Sequence, residues 1–415
     1  MRILFINRVY PPASGATGQL LADLAPALVE HGFDVTVLTA LPDATVPTSE
    51  SISGVQVERV RSLPFTRDVI WRRVLAYLNL YFALLWRALR LPAADVVVTM
   101  TDPPLLLFLG PLIALLKRSR LVHWAQDLYP EVAEELGVLR RRGVIATICR
   151  SVSNFALKRN FKIVAVGRCM KQRLLDRRIP PRLLEVIPNW FPGSPTQTDA
   201  ADGIAFRAEQ KLWGKFLVMY SGNFGQAHSF DEILAAAHGL RTKRPDILFV
   251  FVGDGPRLEE FKAKAAELSL SNLLLLPPQP LENVSETLAA ADIHLVTMRE
   301  ELCGLVVPSK LYGVLNVSRP CIFIGPSESE AALLVQQNQC GSVVSQNDSP
   351  ALLNAILRWA DDPHARKFAG ARAKAAATNL PKAAQSFARV LHGARKWRAY
   401  EVPLQTRPAP NFVSR

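Results

Sequence analysis

The chain has no apolar run long enough to cross a bilayer. Its two longest uncharged apolar stretches, Val74 to Trp86 and Pro103 to Leu116, are thirteen and fourteen residues, whereas a spanning helix needs about 20. It also lacks a leader pattern. Met1 to Asn7 reads straight into a strand with one basic residue and no extended apolar core, which predicts a cytoplasmic protein. Aromatic residues make up only 8%, and no aromatic and basic RNA-type motif occurs, so nucleic acid is the least favoured partner. The five cysteines, Cys149, Cys169, Cys303, Cys321 and Cys340, are widely spaced, and four of them sit in apolar or helical patterns that suggest buried thiols in a reducing compartment. None of the seven histidines has a His or Cys within five residues, and no Asp-x-Asp pair exists. Neither a zinc site nor a short carboxylate clamp is expected, so metal is read as none.

What is present is a chain of 415 residues, 49% hydrophobic, with room for two or three domains. Its net charge of +13 calls for an anionic partner: nucleic acid, bilayer or phosphorylated substrate. The first half opens as strand, glycine-containing loop, helix, strand: Ile3 to Ile6, then Tyr10 to Gly18, then Gln19 to His31, then Val35 to Leu38. Gly15, Ala16 and Gly18 either admit a substrate to the backbone or only make the turn. Arginines 72, 73, 87 and 90 flank the Val74 to Trp86 run, and Pro103 to Leu116 is a second apolar run followed by Lys117, Arg118 and Arg120. Both suit helices lying at a membrane surface, or buried helices with snorkelling arginines. Strand Leu121 to Ala125 leads into His123-Trp124-Ala125-Gln126-Asp127-Leu128-Tyr129-Pro130-Glu131. Asp127, Glu131 and His123 are read as converging on one cleft wall, to orient or deprotonate a hydroxyl. The alternative is a cap, a helix-dipole partner and a histidine satisfied inside the sheet.

After Pro188 to Pro195 and a polar run, the alternation restarts with strands near 217–220, 247–252, 273–276, 293–296, 321–324 and 342–344. Two doubly wound domains in tandem make a cleft between facing carboxyl edges. The division is residues 1–188, a linker at 189–205, a second domain at 206–385, and a basic helical tail at 386–415 returning to the first domain. The first strand of the second domain ends in Ser221-Gly222-Asn223-Phe224-Gly225, whose backbone amides can face an anion. The next strands end in Gly253-Asp254-Gly255-Pro256 and Pro277-Pro278-Gln279-Pro280, the latter a rigid turn for a flat base. The organising stretch is Thr297 to Pro320. There Ser309 is read as the N-cap of a helix and Lys310 as the cation beside its N-terminus, a phosphate site.

With those residues placed, the chain resembles the family 4 glycosyltransferases of the GT-B fold, in which two Rossmann-like domains face each other. Tyr220 to Gly225, Gly253 to Gly255, Asp127 to Glu131 and Gly304 to Tyr312 resemble in particular the bacterial branch containing colanic acid and O-antigen L-fucosamine transferases. The resemblance implies a nucleotide-sugar donor, UDP- in preference to GDP-, in the second domain. It implies a polyprenyl-diphosphate-linked saccharide as acceptor in the first, at the cytoplasmic face of a bacterial plasma membrane. Transfer is expected to retain configuration without metal or cofactor. Donor contacts fall on Gly222, Asn223, Gly225, Gly253, Asp254, Pro278, Gln279, Cys303, Gly304, Leu305, Val306 and Ser309, with Lys310 and Glu301 in catalysis. Two departures stand out. The family's Glu-x7-Glu motif begins at Glu301 but ends on Ser309, and the usual Arg and Lys pair is replaced by Asn223 and by Ala227 or His228. A nucleotide-sugar epimerase and a non-catalytic membrane scaffold remain as alternative readings.

Overall fold

The computed structural model describes residues 1–13, 15–64, 70–141, 143–192 and 203–398. Asp68, most of the linker (193–202) and the tail beyond 398 lie outside the described residues, as do the side chains of Ile70, Trp71, Arg73 and residues 395–398. The first half contains β1 (Arg2–Ile6), α1 (Ala16–Glu30), β2 (Asp34–Ala40), β3 (Ser49–Ile52), β4 (Val55–Val60), α2 (Ile70–Arg90) and β5 (Val96–Thr99). It continues with α3 (Gly110–Lys117), β6 (Arg120–Ala125), α4 (Glu131–Glu135), α5 (Val144–Lys158), β7 (Lys162–Ala165), α6 (Arg168–Asp176) and β8 (Leu184–Val186). These strands form one sheet in the order β3-β4-β2-β1-β5-β6-β7-β8, parallel except for the β3–β4 pair. The apolar runs that form its centre, such as Val96-Val97-Val98, are buried on both faces, as a parallel sheet between helices requires.

The second half contains α7 (Gly203–Glu209), β9 (Phe216–Ser221), α8 (Asp231–Leu240), β10 (Ile247–Val252), α9 (Leu258–Glu267), β11 (Leu273–Leu276), α10 (Leu281–Ala289) and β12 (Ile293–Thr297). Then follow α11 (Lys310–Asn316), β13 (Cys321–Ile324), α12 (Glu330–Gln337), β14 (Gly341–Val344), α13 (Ser349–Asp361), α14 (Pro363–Ala376) and α15 (Leu380–Arg398). Its all-parallel sheet runs β11-β10-β9-β12-β13-β14. The direction of winding reverses between β1 and β5 in one sheet and between β9 and β12 in the other. Those switch points open a crevice at the carboxyl edge, where ligands bind in such folds.

The two halves are joined by contacts that separate motifs do not reveal. Leu128 N donates to the Leu305 carbonyl oxygen at 2.9 Å, and Arg173 Nε to that of Cys303 at 3.0 Å. The Arg168 guanidinium pairs with the buried Glu330 carboxylate at 3.1 Å. α15 lies along α1, with Phe387 edge-on to Trp124 at 4.8 Å between ring centroids. Asn189 and Trp190, read above as linker, belong to the first domain. Trp190 stacks on Trp124 at 6.0 Å and donates its indole N–H to Asp23, while Asn189 and Gln126 exchange amide hydrogen bonds. Burying each indole contributes about 2–3 kcal/mol, which no flexible linker residue supplies.

Candidate active site

At the end of β9 the chain turns at Gly222 with φ of +136°. A Cβ at this position would lie 2.3 Å from Lys310 Cε. Glycine therefore leaves the channel through which the lysine crosses the strand end. Gly253 repeats the device one strand over, since a Cβ there would lie 2.1 Å from the Gly222 carbonyl oxygen. The Lys310 ammonium lies 2.7 Å from His228 Nε2, 3.3 Å from the Asn223 carbonyl oxygen and 4.7 Å from the Tyr220 ring centre. His228 Nδ1 is 2.7 Å from the Thr297 carbonyl oxygen, which can only accept. Nδ1 therefore carries the proton and Nε2 accepts from lysine. Burial, followed by the Lys310 charge, pushes His228 down to about 3, so the imidazole stays neutral. Burial likewise pushes the Lys310 amine down to about 7.

This lysine faces a cleft of about 640 Å³ that both domains line. Gly15, Ala16 and Gln19 contribute from the first domain, with Trp190 and Phe191. From the second come Gly222, Asn223, Gly253, Asp254, Pro278, Gln279 and Ser309. A nucleotide has here a flat proline-rich wall, small glycine surfaces and, among the described residues, one cation, a combination able to hold a base, a ribose and a diphosphate. Gly225 is outside this lining, and a Cβ there would meet the Asn223 side-chain nitrogen Nδ2 at 3.1 Å.

Several expected roles are altered by the tertiary structure. Ser309 makes no capping hydrogen bond and has helical dihedrals. α11 is only seven residues long, and the amides of Leu311 and Tyr312 are already bonded to Pro308 and Ser309. The helix end thus has few donors left for phosphate, and the cation is the side chain. Gly222 N and Phe224 N are likewise engaged, with the Val252 and Asp254 carbonyl oxygens at 2.8 and 2.9 Å. The Cys303-Gly304-Leu305-Val306 stretch lies against the first domain, and none of the four lines the cleft. Cys303 and Leu305 accept the inter-domain bonds given above, and a Cβ on Gly304 would meet Arg173 Cγ at 2.6 Å. Glu301 is also outside the lining, half-exposed beside Arg299 at 3.4 Å.

In the first domain the expected cluster of three separates. His123 is buried within the sheet, 3.0 Å from the Thr99 hydroxyl, and burial pushes it down to about 4. The imidazole serves the sheet. Glu131 opens α4 and is held by Arg150 at 3.4 Å and Arg177 at 3.3 Å, so its charge is already matched. Gly18 lies within α1 and packs beneath Val9, where a Cβ would be 2.8 Å from the carbonyl oxygen. Asp127 keeps a chemically useful setting. Its carboxylate is 3.5 Å from the Thr101 hydroxyl, and burial together with the charge of Asp102 pushes it up to about 6. Asp102 is clamped by Arg8 through contacts of 2.6 and 3.0 Å. Such a carboxyl exchanges protons near neutrality. The sequence reading missed Asp102 and Arg8 because β5 was not recognised; the Val-Val-Val run ending in Thr-Met-Thr-Asp-Pro was the available signal. Among the described residues, no three His, Cys, Asp or Glu side chains gather as a metal site.

Comparison with known proteins agrees with this architecture. Residues 15–190 match the "Glycosyl transferase 4-like domain" and residues 204–376 the "Glycosyl transferases group 1" family. The chain is 28% identical over 262 residues to the probable glycosyltransferase WbjE of Pseudomonas aeruginosa, across 63% of this chain and 65% of that one. It therefore spans just under two thirds of that relative. It is 24% identical to the putative colanic acid biosynthesis glycosyl transferase WcaI of Escherichia coli, covering 87% of this chain and 92% of WcaI. Among solved structures, Anabaena Alr3699/HepE in complex with UDP-glucose superposes with a TM-score of 0.70 at 17% identity, over 95% of this chain and 100% of that one. Two facing Rossmann-like domains, each matched by a glycosyltransferase domain model, make this chain a member of the family 4 glycosyltransferases of the GT-B fold.

Proposed function

We propose that the protein transfers a sugar from a nucleoside-diphosphate sugar, UDP- in preference to GDP-, to a polyprenyl-diphosphate-linked saccharide. The setting is assembly of bacterial exopolysaccharide or O-antigen repeat units. WcaI, described as a colanic acid enzyme, and HepE, bound to UDP-glucose, support the direction of this reading. The observation that carries it is the Lys310 ammonium beside Gly222 at the switch point of the second sheet. As the bond from sugar C1 to the β-phosphate oxygen breaks, negative charge builds on the diphosphate, and a preplaced cation stabilises it. The acceptor oxygen forms the new bond to C1, and its proton passes to a donor phosphate oxygen, so configuration is retained and no metal is needed. Asp127, poised near neutrality just beyond the carboxyl end of β6 and outside the lining of the donor cleft, orients the acceptor hydroxyl.

A lipid-linked acceptor requires access to a bilayer. Among the described residues no helix is long and apolar enough to cross one. α2 instead has two apolar faces: Ala76, Leu80, Leu84 and Ala88 are buried in the domain, while Leu78, Phe82 and Trp86 remain at least half-exposed. That pattern suits a helix lying at the cytoplasmic membrane surface.

The test is isothermal titration with UDP and then GDP on detergent-solubilised protein without added metal. Micromolar binding of UDP, reduced at least about tenfold by Lys310→Ala, is expected from loss of a charge-assisted contact. Wild-type protein that binds neither nucleotide would sink the donor site. Equal binding by Lys310→Ala would remove Lys310 from it.

A further inference from the structure

The catalytic cleft occupies the carboxyl edge of the first sheet; a separate apolar groove occupies the opposite edge. It lies between α3 and α5 and has a volume of about 980 Å³. Its position follows from the topology, because it reaches the beginnings of β6 and β7 at Arg120, Leu121 and Lys162, where those strands start. None of the residues lining it lines the cleft.

The sequence of α5 explains why this groove stays open to solvent. Ala146, Ser153, Ala156 and Leu157 turn into the domain, while Val144, Ile148, Val152 and Phe155 recur at three- and four-residue spacing along another face. Those four are 40 to 77% exposed, and of them Val152 and Phe155 line the groove. α3 contributes Leu112 and Leu115, at 43 and 74%. A contiguous apolar surface of this kind is unusual on a protein that meets only water. α2, whose exposed apolar face is assigned to the bilayer above, packs against α3.

The rim carries the opposite chemistry. Arg118, Lys158, Arg159, Lys162 and Arg182 stand around the apolar walls, with Arg120, and no Asp or Glu lines the groove among the described residues. Glu185 meets Lys162 at 3.7 Å from outside. The Arg159 guanidinium is 4.5 Å from the Phe155 ring centre, which sets a cation directly over an apolar wall. Apolar walls below a ring of cations match one molecule with a hydrocarbon chain and an anionic phosphate.

We propose that the α3–α5 groove binds an anionic phospholipid of the bilayer, with an acyl chain against Leu115 and Phe155 and its phosphate against Arg118 and Arg159. This inference rests on the membrane docking put forward above and adds a lipid site separate from the acceptor site. It makes docking selective for anionic lipid, because the cations sit at the depth of the headgroup phosphates while α5 enters the acyl boundary.

The experiment is flotation of the full chain with vesicles of pure phosphatidylcholine and of phosphatidylcholine with one quarter phosphatidylglycerol, at physiological salt. Each variant is also titrated with UDP and checked for melting temperature. Wild type is expected to float with the anionic vesicles and to remain largely below the neutral ones. Leu115→Glu/Phe155→Glu and, separately, Arg118→Glu/Arg159→Glu should each lower partitioning at least tenfold with unchanged UDP affinity. All four side chains are exposed or rim residues, so melting should not move. If both groove variants float like wild type while Phe82→Glu on α2 does not, the groove inference is wrong and the membrane reading stands. If wild type ignores anionic vesicles yet binds UDP, groove and membrane docking both fall and the donor site survives. A concentration-dependent dimer abolished by the groove variants would instead show a second copy covering this face, and would overturn the lipid assignment.

Discussion

Lys310 Nζ and His228 Nε2 are 2.7 Å apart, and the Thr297 carbonyl oxygen fixes the histidine with its proton on the far nitrogen. The imidazole therefore acts as an acceptor that aims the ammonium and does not compete with it for charge. The resemblance expects a basic pair after Gly222; here one cation is held by a neutral ring. His228 stands five residues beyond Asn223, and its role depends on Lys310, which is 82 residues away.

Gly222→Ala should act on donor binding through Lys310. The added methyl would sit 2.3 Å from Lys310 Cε, in a backbone conformation that L-residues rarely adopt. The expected result is a loss of UDP affinity matching that of Lys310→Ala, with about 1–3 kcal/mol of stability lost. The double variant Gly222→Ala/Lys310→Ala should bind no worse than either single variant, because both remove one interaction. Additive losses measured by titration would separate the two residues.

Donor affinity should depend on pH through Lys310. With its amine pushed down to about 7, the free protein loses the cation as pH rises through neutrality. A bound diphosphate favours the charged form and draws a proton back. UDP affinity should therefore fall between pH 6 and pH 8.5, and titration at pH 8 in buffers of different ionisation enthalpy should show proton uptake. A flat affinity profile would contradict this.

Asp127 and Glu131 should behave differently. Asp127→Asn is expected to lower turnover by at least about tenfold, to leave the KM for donor unchanged, and to remove a limb near pH 6 from the rate profile. Glu131→Gln breaks the pairing with Arg150 and Arg177 and should cost about 1–3 kcal/mol of stability. Its turnover per folded molecule should stay near wild type. A reversal of the two outcomes would move the catalytic carboxyl to Glu131.

Acid should destabilise the fold before carboxylates alone would. Burial holds His123, His228 and His294 down to about 4, 3 and 4, whereas the unfolded chain protonates them near 6.5. The unfolded state thus binds more protons below about pH 6.5, and stability falls as pH drops from there toward 4. Asp127, pushed up to about 6, opposes this between about pH 6 and 4. Melting temperature followed from pH 7 to pH 5 should fall, and His123→Asn should flatten the slope.

Local pattern determined a great deal. The six strands of the second sheet and the placement of Gly222, Asn223, Pro278 and Lys310 at its carboxyl edge follow from apolar runs and turn residues, because strand period and turn chemistry act over a few residues. The amphipathic character of α2 was equally local. Tertiary structure decided which polar groups remained available. Ser309 looked like a cap, but its neighbours bond within a tight first turn. Glu131 looked like a base, but Arg177 arrives from α6 to match it. Cys303 and Leu305 looked like donor contacts, but the first domain takes their carbonyl oxygens. Hydrogen-bond partners and burial depend on residues tens to hundreds of positions apart. The sequence therefore determined where a site lies, and only the folded chain decided that Lys310, aimed by His228 through a gap kept open by Gly222, is the cation within it.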